Sequence, residues 1–243
     1  MMKIVGVALA LVVALLPAGN TSAANKVTGS GSSKTETRAA TGFHAIALGV
    51  DARLEIRQGS VEGLTITGDD NILPLVETVV DGGVLKIRWA RGDFSTTYKT
   101  LSIAVDAKTL DAITLGGSGS VHADKLAAPS LAAKLGGSGD MVIDRLDTKS
   151  ATIAIAGSGQ VTVAGRADAL DLALAGSGDL TASKLEALRV QATVQGSARA
   201  TVWAKDTLQA TIAGSGEIAY YGSPQVRQTI AGSGSIRKAG DAP

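Results

Sequence analysis

A Gly-Ser unit returns along the second half of the chain at a nearly constant step, and this step limits the possible folds more than any other feature. Counted from the serine, the copies stand at Ser118, Ser138, Ser158, Ser177, Ser197, Ser215 and Ser233, spaced by 20, 20, 19, 20, 18 and 18 residues. A fixed period of this length is the mark of equivalent units stacked one on the next. Three residues before each serine stand Leu115, Leu135, Ile155, Leu174, Val194, Ile212 and Ile230, all aliphatic. Three residues after it stand Val121, Met141, Val161, Leu180, Ala200, Ile218 and Ile236, again all apolar. Odd offsets are apolar while even offsets carry Thr, Asp, Lys and Gln. That period of two belongs to half-buried strands, whereas a helical solenoid needs 3.6.

The residue before each serine is Gly in all seven copies, and the residue after it is Gly in six, with Ala198 the exception. Glycine serves where a chain turns with positive φ or where backbones come very close. Each unit therefore reads as a strand, a Gly-Ser-Gly bend, a second strand and a polar return such as Ala123 to Ser130, with room for two or three short parallel sheets. The expected fold is an all-β solenoid of about 19 residues per coil. The last coil needs a polar end, and Lys238 and Asp241 supply one.

The preceding part of the chain is less regular. Residues 24–41 are small and polar without periodicity, so a flexible lead is expected there. Residues 42–110 alternate as strands but lack the bend. Leu48, Ile66, Leu85 and Ile103 recur at 18 or 19 residues, which predicts irregular coils of the same stack. The step from Ile103 to Leu115 breaks the period, so the regular coils run over 111–238 within one domain spanning 42–243.

Residues 1–23 read as an export signal. Lys3 is followed by an apolar run from Ile4 to Ala18, and Thr21-Ser22-Ala23 offers the small residues of a cleavage site. The run is about 15 residues, short of the ~20 that span a bilayer. A periplasmic, extracellular or cell-surface location is expected, with no membrane insertion after cleavage. Loss of Lys3 leaves 22 basic and 22 acidic residues, so nothing favours nucleic acid, whose binding rests on clustered cations. The chain has no Cys, which removes disulfides and thiolate chemistry.

The two halves together resemble the autotransporter adhesin head family that carries a GIN domain. The first half is similar in Gly42-Phe43-His44-Ala45-Ile46, Leu54-Glu55-Ile56-Arg57-Gln58-Gly59, Ile66-Thr67-Gly68-Asp69-Asp70-Asn71 and Leu85-Lys86-Ile87, the second in Leu115-Gly116-Gly117-Ser118-Gly119 and its later copies. The resemblance implies a right-handed parallel β-helix-like fold, related to the toast-rack domains of envelope-stress systems. No biochemical function is established for the family.

Candidates for chemistry are few. Two residues after the serine, Asp140, Asp179 and Glu217 fall on alternate coils, about 9.6 Å apart at the spacing of strands. That is too far for a retaining glycosidase pair and at the limit for an inverting one. Gly136-Gly137-Ser138-Gly139-Asp140 differs from a calcium nonapeptide, with its Asp one residue early and a period twice as long. Phosphate-loop and serine-nucleophile motifs are missing. His44 and His122 read as surface or structural residues. No catalytic residue, metal site or cofactor is therefore expected. Trp203 and Tyr221 occupy equivalent outward positions on successive coils and are the surface candidates for a ligand.

The reading that results is an exported, non-catalytic binding module, adhesin-like or part of the envelope, whose partner is a glycan or an envelope protein. The alternatives are a periplasmic accessory of an envelope-stress or signalling system and a β-helix carbohydrate-active enzyme. Exposed end coils would also allow homo-oligomers.

Overall fold

A computed structural model describes residues 25–92 and 94–242; the expected export signal, residues 1–23, lies outside the described residues. The seven Gly-Ser corners bound six turns of a β-solenoid, each of about 20 residues. Ladders between coils are parallel and in register. Leu115 pairs with Leu135, Leu135 with Ile155, Ile155 with Leu174 and Leu174 with Val194.

Both apolar columns read from the sequence line the core. From Leu115 to Ile212 and from Val121 to Ile218 every member is buried. Each such side chain removed from water contributes roughly 1.5–3 kcal/mol, and the columns repeat that gain in every coil. At the C-terminal end the cover runs out: Ile230 is 41% and Val226 37% exposed. Lys238 bonds Asp241 and Ser223 there.

The burial pattern of one full coil, Asp140–Gly157, slips parity twice, at Asp144-Arg145 and at Lys149-Ser150. With the Gly-Ser-Gly bend these slips make three corners and three arms. The return segment is therefore a third sheet with its own inward positions, Leu126, Leu146 and Leu185 in one column and Thr148, Ala167, Ala187 and Ala204 in the next. Thr148 is buried, and its hydroxyl donates to the Ser150 carbonyl at 3.0 Å.

The two glycines of the bend do different work. The first takes positive φ, for example 121° at Gly137 and 134° at Gly157. The second does not, but it is buried against the coil below, where a Cβ on Gly178 would meet the Gly159 carbonyl oxygen at 2.6 Å. Main-chain bonds join successive corners, Ser138 N–H to Gly117 O at 3.0 Å and Ser177 N–H to Gly157 O at 2.9 Å. The serine hydroxyls face out.

Before the regular coils, stacking order departs from chain order. Strand Ala45–Leu48 lies between Val84–Trp89 and Ala112–Gly117, and Arg53–Gln58 lies between Ser102–Ala107 and Ser120–Ala123. Thus the coil of residues 84–107 stacks outside the coil of residues 45–58 that precedes it in sequence. Leu48 pairs with Ile87, whereas Ile103 pairs with Leu54 and belongs to the other column. The 18-to-19-residue recurrence of Leu48, Ile66, Leu85 and Ile103 therefore does not trace successive coils. Ile66 sits on Gly63–Asp69, which runs antiparallel to Ser102–Ala107.

The segment expected to be a flexible lead is structured. Asn25–Thr28 pairs in parallel with Phe94–Thr97, and Ser33–Arg38 pairs antiparallel with Gly63–Asp69. Its polar composition reflects an edge strand largely facing solvent, held through its backbone. Arg38 anchors it by donating to the carbonyl oxygens of Leu73 and Val76. Antiparallel Val76–Asp81 closes the other sheet against Val84–Trp89. Together these strands cap the N-terminal end.

Candidate functional site

One coil lacks a tight bend. Between Val84–Trp89 and Ser102–Ala107 the chain makes an excursion that includes Phe94–Thr97 and residues 98–101. This excursion walls a concavity of about 800 Å³ that opens over the corners of the neighbouring coils. Its floor is Asp51, Ala52 and Arg53 of one coil, Ser118 and Ser120 of the next, and Asp140 of the one after. The wall presents Thr96, Thr97, Tyr98, Lys99 and Thr100. The lining is thus rich in hydroxyls with charges of both signs.

The wall is braced by aromatics. Trp89 meets Phe94 edge-on at 6.2 Å between ring centroids and Tyr98 at 5.7 Å with the planes tilted 57°. The Tyr98 hydroxyl donates to the Asp51 carbonyl at 2.6 Å. Burial, aided by the nearby Asp51 carboxylate, pushes its phenol up to about 12. Tyr98 therefore stays neutral and tied to the floor.

The residues singled out from the sequence are placed as follows. Trp203 and Tyr221 stand side by side in the ladder, both half-buried. Asp140, Asp179 and Glu217 share an outward column but are separated by Gln160 and Arg199. Arg199 lies 3.8 Å from Asp179, and Arg237 bonds Glu217. That column brings no two of these carboxylates onto adjacent coils; Asp140 alone reaches the concavity. His44 is exposed and pairs with Asp111 at 3.0 Å. His122 faces outward between Glu55 and Asp144, 2.7 and 2.8 Å from its two ring nitrogens. Bonding to Asp144 first, and then to Glu55, raises the imidazole above its ordinary value.

Sequence reasoning missed the concavity and its aromatic brace. The available signal was that three of the seven aromatic residues, Trp89, Phe94 and Tyr98, fall within one short segment at the only long gap between strand patterns in residues 84–107.

Stacked coils with an open polar hollow over their corner column define a β-solenoid scaffold. The chain belongs to the family described as "Putative auto-transporter adhesin, head GIN domain", whose model matches residues 42–224. Among solved structures it is similar to a protein described as a putative adhesin from Bacteroides fragilis, with 26% identity, a TM-score of 0.81, and coverage of 87% of this chain and 99% of that one. A protein described as a putative lipid binding protein from Parabacteroides distasonis gives 26% identity and a TM-score of 0.76 over 88% of this chain and 100% of that one. A third, described as a putative adhesin from Parabacteroides merdae, shares the fold at 24% identity and a TM-score of 0.71, over 89% of this chain and 100% of that one. No curated protein matches the chain. No helix among the described residues is long and apolar enough to cross a membrane.

Proposed function

We propose that this chain is an adhesin-like binding module of the bacterial envelope or cell surface, and that it holds a glycan in the concavity between Tyr98 and Asp140. The observation that carries this reading is the lining itself. Hydroxyls of Thr96, Thr100, Ser118 and Ser120, with Asp51, Arg53, Lys99 and Asp140, can exchange hydrogen bonds with a polyhydroxylated ligand from both sides. An acyl chain would want a mainly apolar wall, so a lipid tail, as the description of the Parabacteroides distasonis neighbour suggests, fits this hollow poorly. The rigidity of the stacked corners keeps the donors and acceptors in place without ligand, which lowers the ordering cost of binding.

Trp203 and Tyr221 form a second surface for the same ligand class. They lie four and five coils beyond Ser118, about 19–24 Å along the stack at the spacing of strands, and Trp203 continues the Asp147–Arg166–Glu186 column across the second arm from the Ser120–Asp140 column of the hollow, so only a long glycan would touch both.

The test is a glycan array with the purified full chain. Saturable binding that Asp140→Ala and Arg53→Ala weaken supports the proposal. Absence of any bound glycan, together with cleavage of a polysaccharide, would replace it with the enzyme reading.

A further inference from the structure

His122 sits on Ser120–Ala123, in register with Glu55 on the coil below, while Asp144 follows on the coil above. Its Nδ1 lies 2.7 Å from Glu55 Oε2; its Nε2 lies 2.8 Å from Asp144 Oδ2 and 3.7 Å from Asp124 Oδ1. A neutral imidazole has one N–H to give. When Nδ1–H goes to Glu55, the lone pair of Nε2 points at two carboxylates, and either a second proton or a cation has to stand between them.

We propose that His122 Nε2, Asp124 and Asp144 form a binding site for one divalent cation of the zinc class, with Glu55 orienting the ring from behind. Three geometric facts support this. The donor atoms all lie within 4.8 Å of one another. Ligands held 2.0–2.2 Å from a tetrahedral ion stand about 3.4 Å apart, and the 2.8 and 3.7 Å separations from Nε2 bracket that figure. A carboxylate bonded to the other nitrogen of a ligating histidine is the usual outer support of such a site. A proton on Nε2 would serve Asp144 alone and leave Asp124 beyond hydrogen-bond reach; an ion can take both. Asp124 and Asp144 are exposed, so their carboxylates can close on the ion without disturbing the core, and water can complete the coordination. One nitrogen and two oxygens, with no thiolate, suit zinc better than calcium or magnesium, which prefer oxygen alone. The site lies outside the concavity and is independent of the glycan reading.

The experiment is calorimetric titration of metal-free full-length protein with zinc. The expected result is one saturable site per chain that disappears in His122→Ala and weakens in Asp124→Asn and Asp144→Asn. Glu55→Gln, which keeps every ligand, should weaken binding 10–100-fold. His44→Ala, at the other His–carboxylate pair, should change nothing. All these side chains are at the surface, and circular dichroism of each variant confirms its fold. No saturable zinc binding, or a site of unchanged affinity in His122→Ala, overturns the proposal.

Discussion

Gly157 stacks directly on Gly137 with φ of 134°, and a Cβ on Gly157 would fall on the Gly137 carbonyl oxygen. The corner column is thus packed backbone on backbone, which accounts for the recurrence of glycine there better than chain flexibility does. Gly157→Ala combines a disfavoured φ with a main-chain overlap and should cost at least about 3 kcal/mol. Ser158→Ala, on the exposed neighbour, should stay within about 0.5 kcal/mol. Urea unfolding of the two variants makes the comparison.

Position along the stack sets the cost of a core truncation. Ile155 is 1% exposed in a middle coil, whereas Ile230, in the same column, is 41% exposed at the end. Ile155→Ala should cost about 2–5 kcal/mol. Ile230→Ala should cost less, about 1 kcal/mol, because two-fifths of its surface stays in water. Denaturation midpoints test this; equal losses would argue against an open end at the last coil.

Arg38 ties the N-terminal edge strand to the cap through the Leu73 and Val76 carbonyls. Arg38→Ala leaves both acceptors without that partner and should destabilise the cap by about 1–3 kcal/mol. Hydrogen exchange should then quicken in Ser33–Arg38 and Gly63–Asp69, and remain unchanged beyond Asp140.

The Tyr98 phenol, pushed up to about 12 by burial and by Asp51, makes stability depend on alkaline pH. Its folded value lies above the unfolded value of about 10. The folded state therefore holds the proton more tightly, and the resulting stabilisation is present below pH ~10 and is lost as pH rises toward 12. Ultraviolet titration should show a tyrosine step well above the ordinary value of about 10. Tyr98→Phe should remove that late step while retaining the ring contacts with Trp89.

The regular half was legible in the sequence because a constant step and a period of two are local patterns. Leu115 and Val121 announce their burial by spacing alone. The third arm was harder to read: Leu126 and Leu146 sit where two parity slips interrupt the alternation. The N-terminal half defeated the same logic because pairings such as Ile66 with Ile103 and Ile46 with Leu85 reverse direction or skip a coil, and spacing carries no record of either. The polar segment Ser33–Arg38 hid its strand because an edge strand needs no apolar face. The concavity joins Asp51, Tyr98, Ser118 and Asp140, and the His122 cluster joins Glu55, Asp124 and Asp144; each gathers residues from different coils that share no motif.

The most direct test of the account is the affinity of the full chain for a glycan taken from the array, compared between wild type and Tyr98→Ala. Tyr98 braces the wall and faces the hollow, and truncating such an aromatic anchor should weaken binding at least about tenfold, with circular dichroism unchanged. Wild-type affinity in Tyr98→Ala would contradict the assignment of the concavity as the binding site.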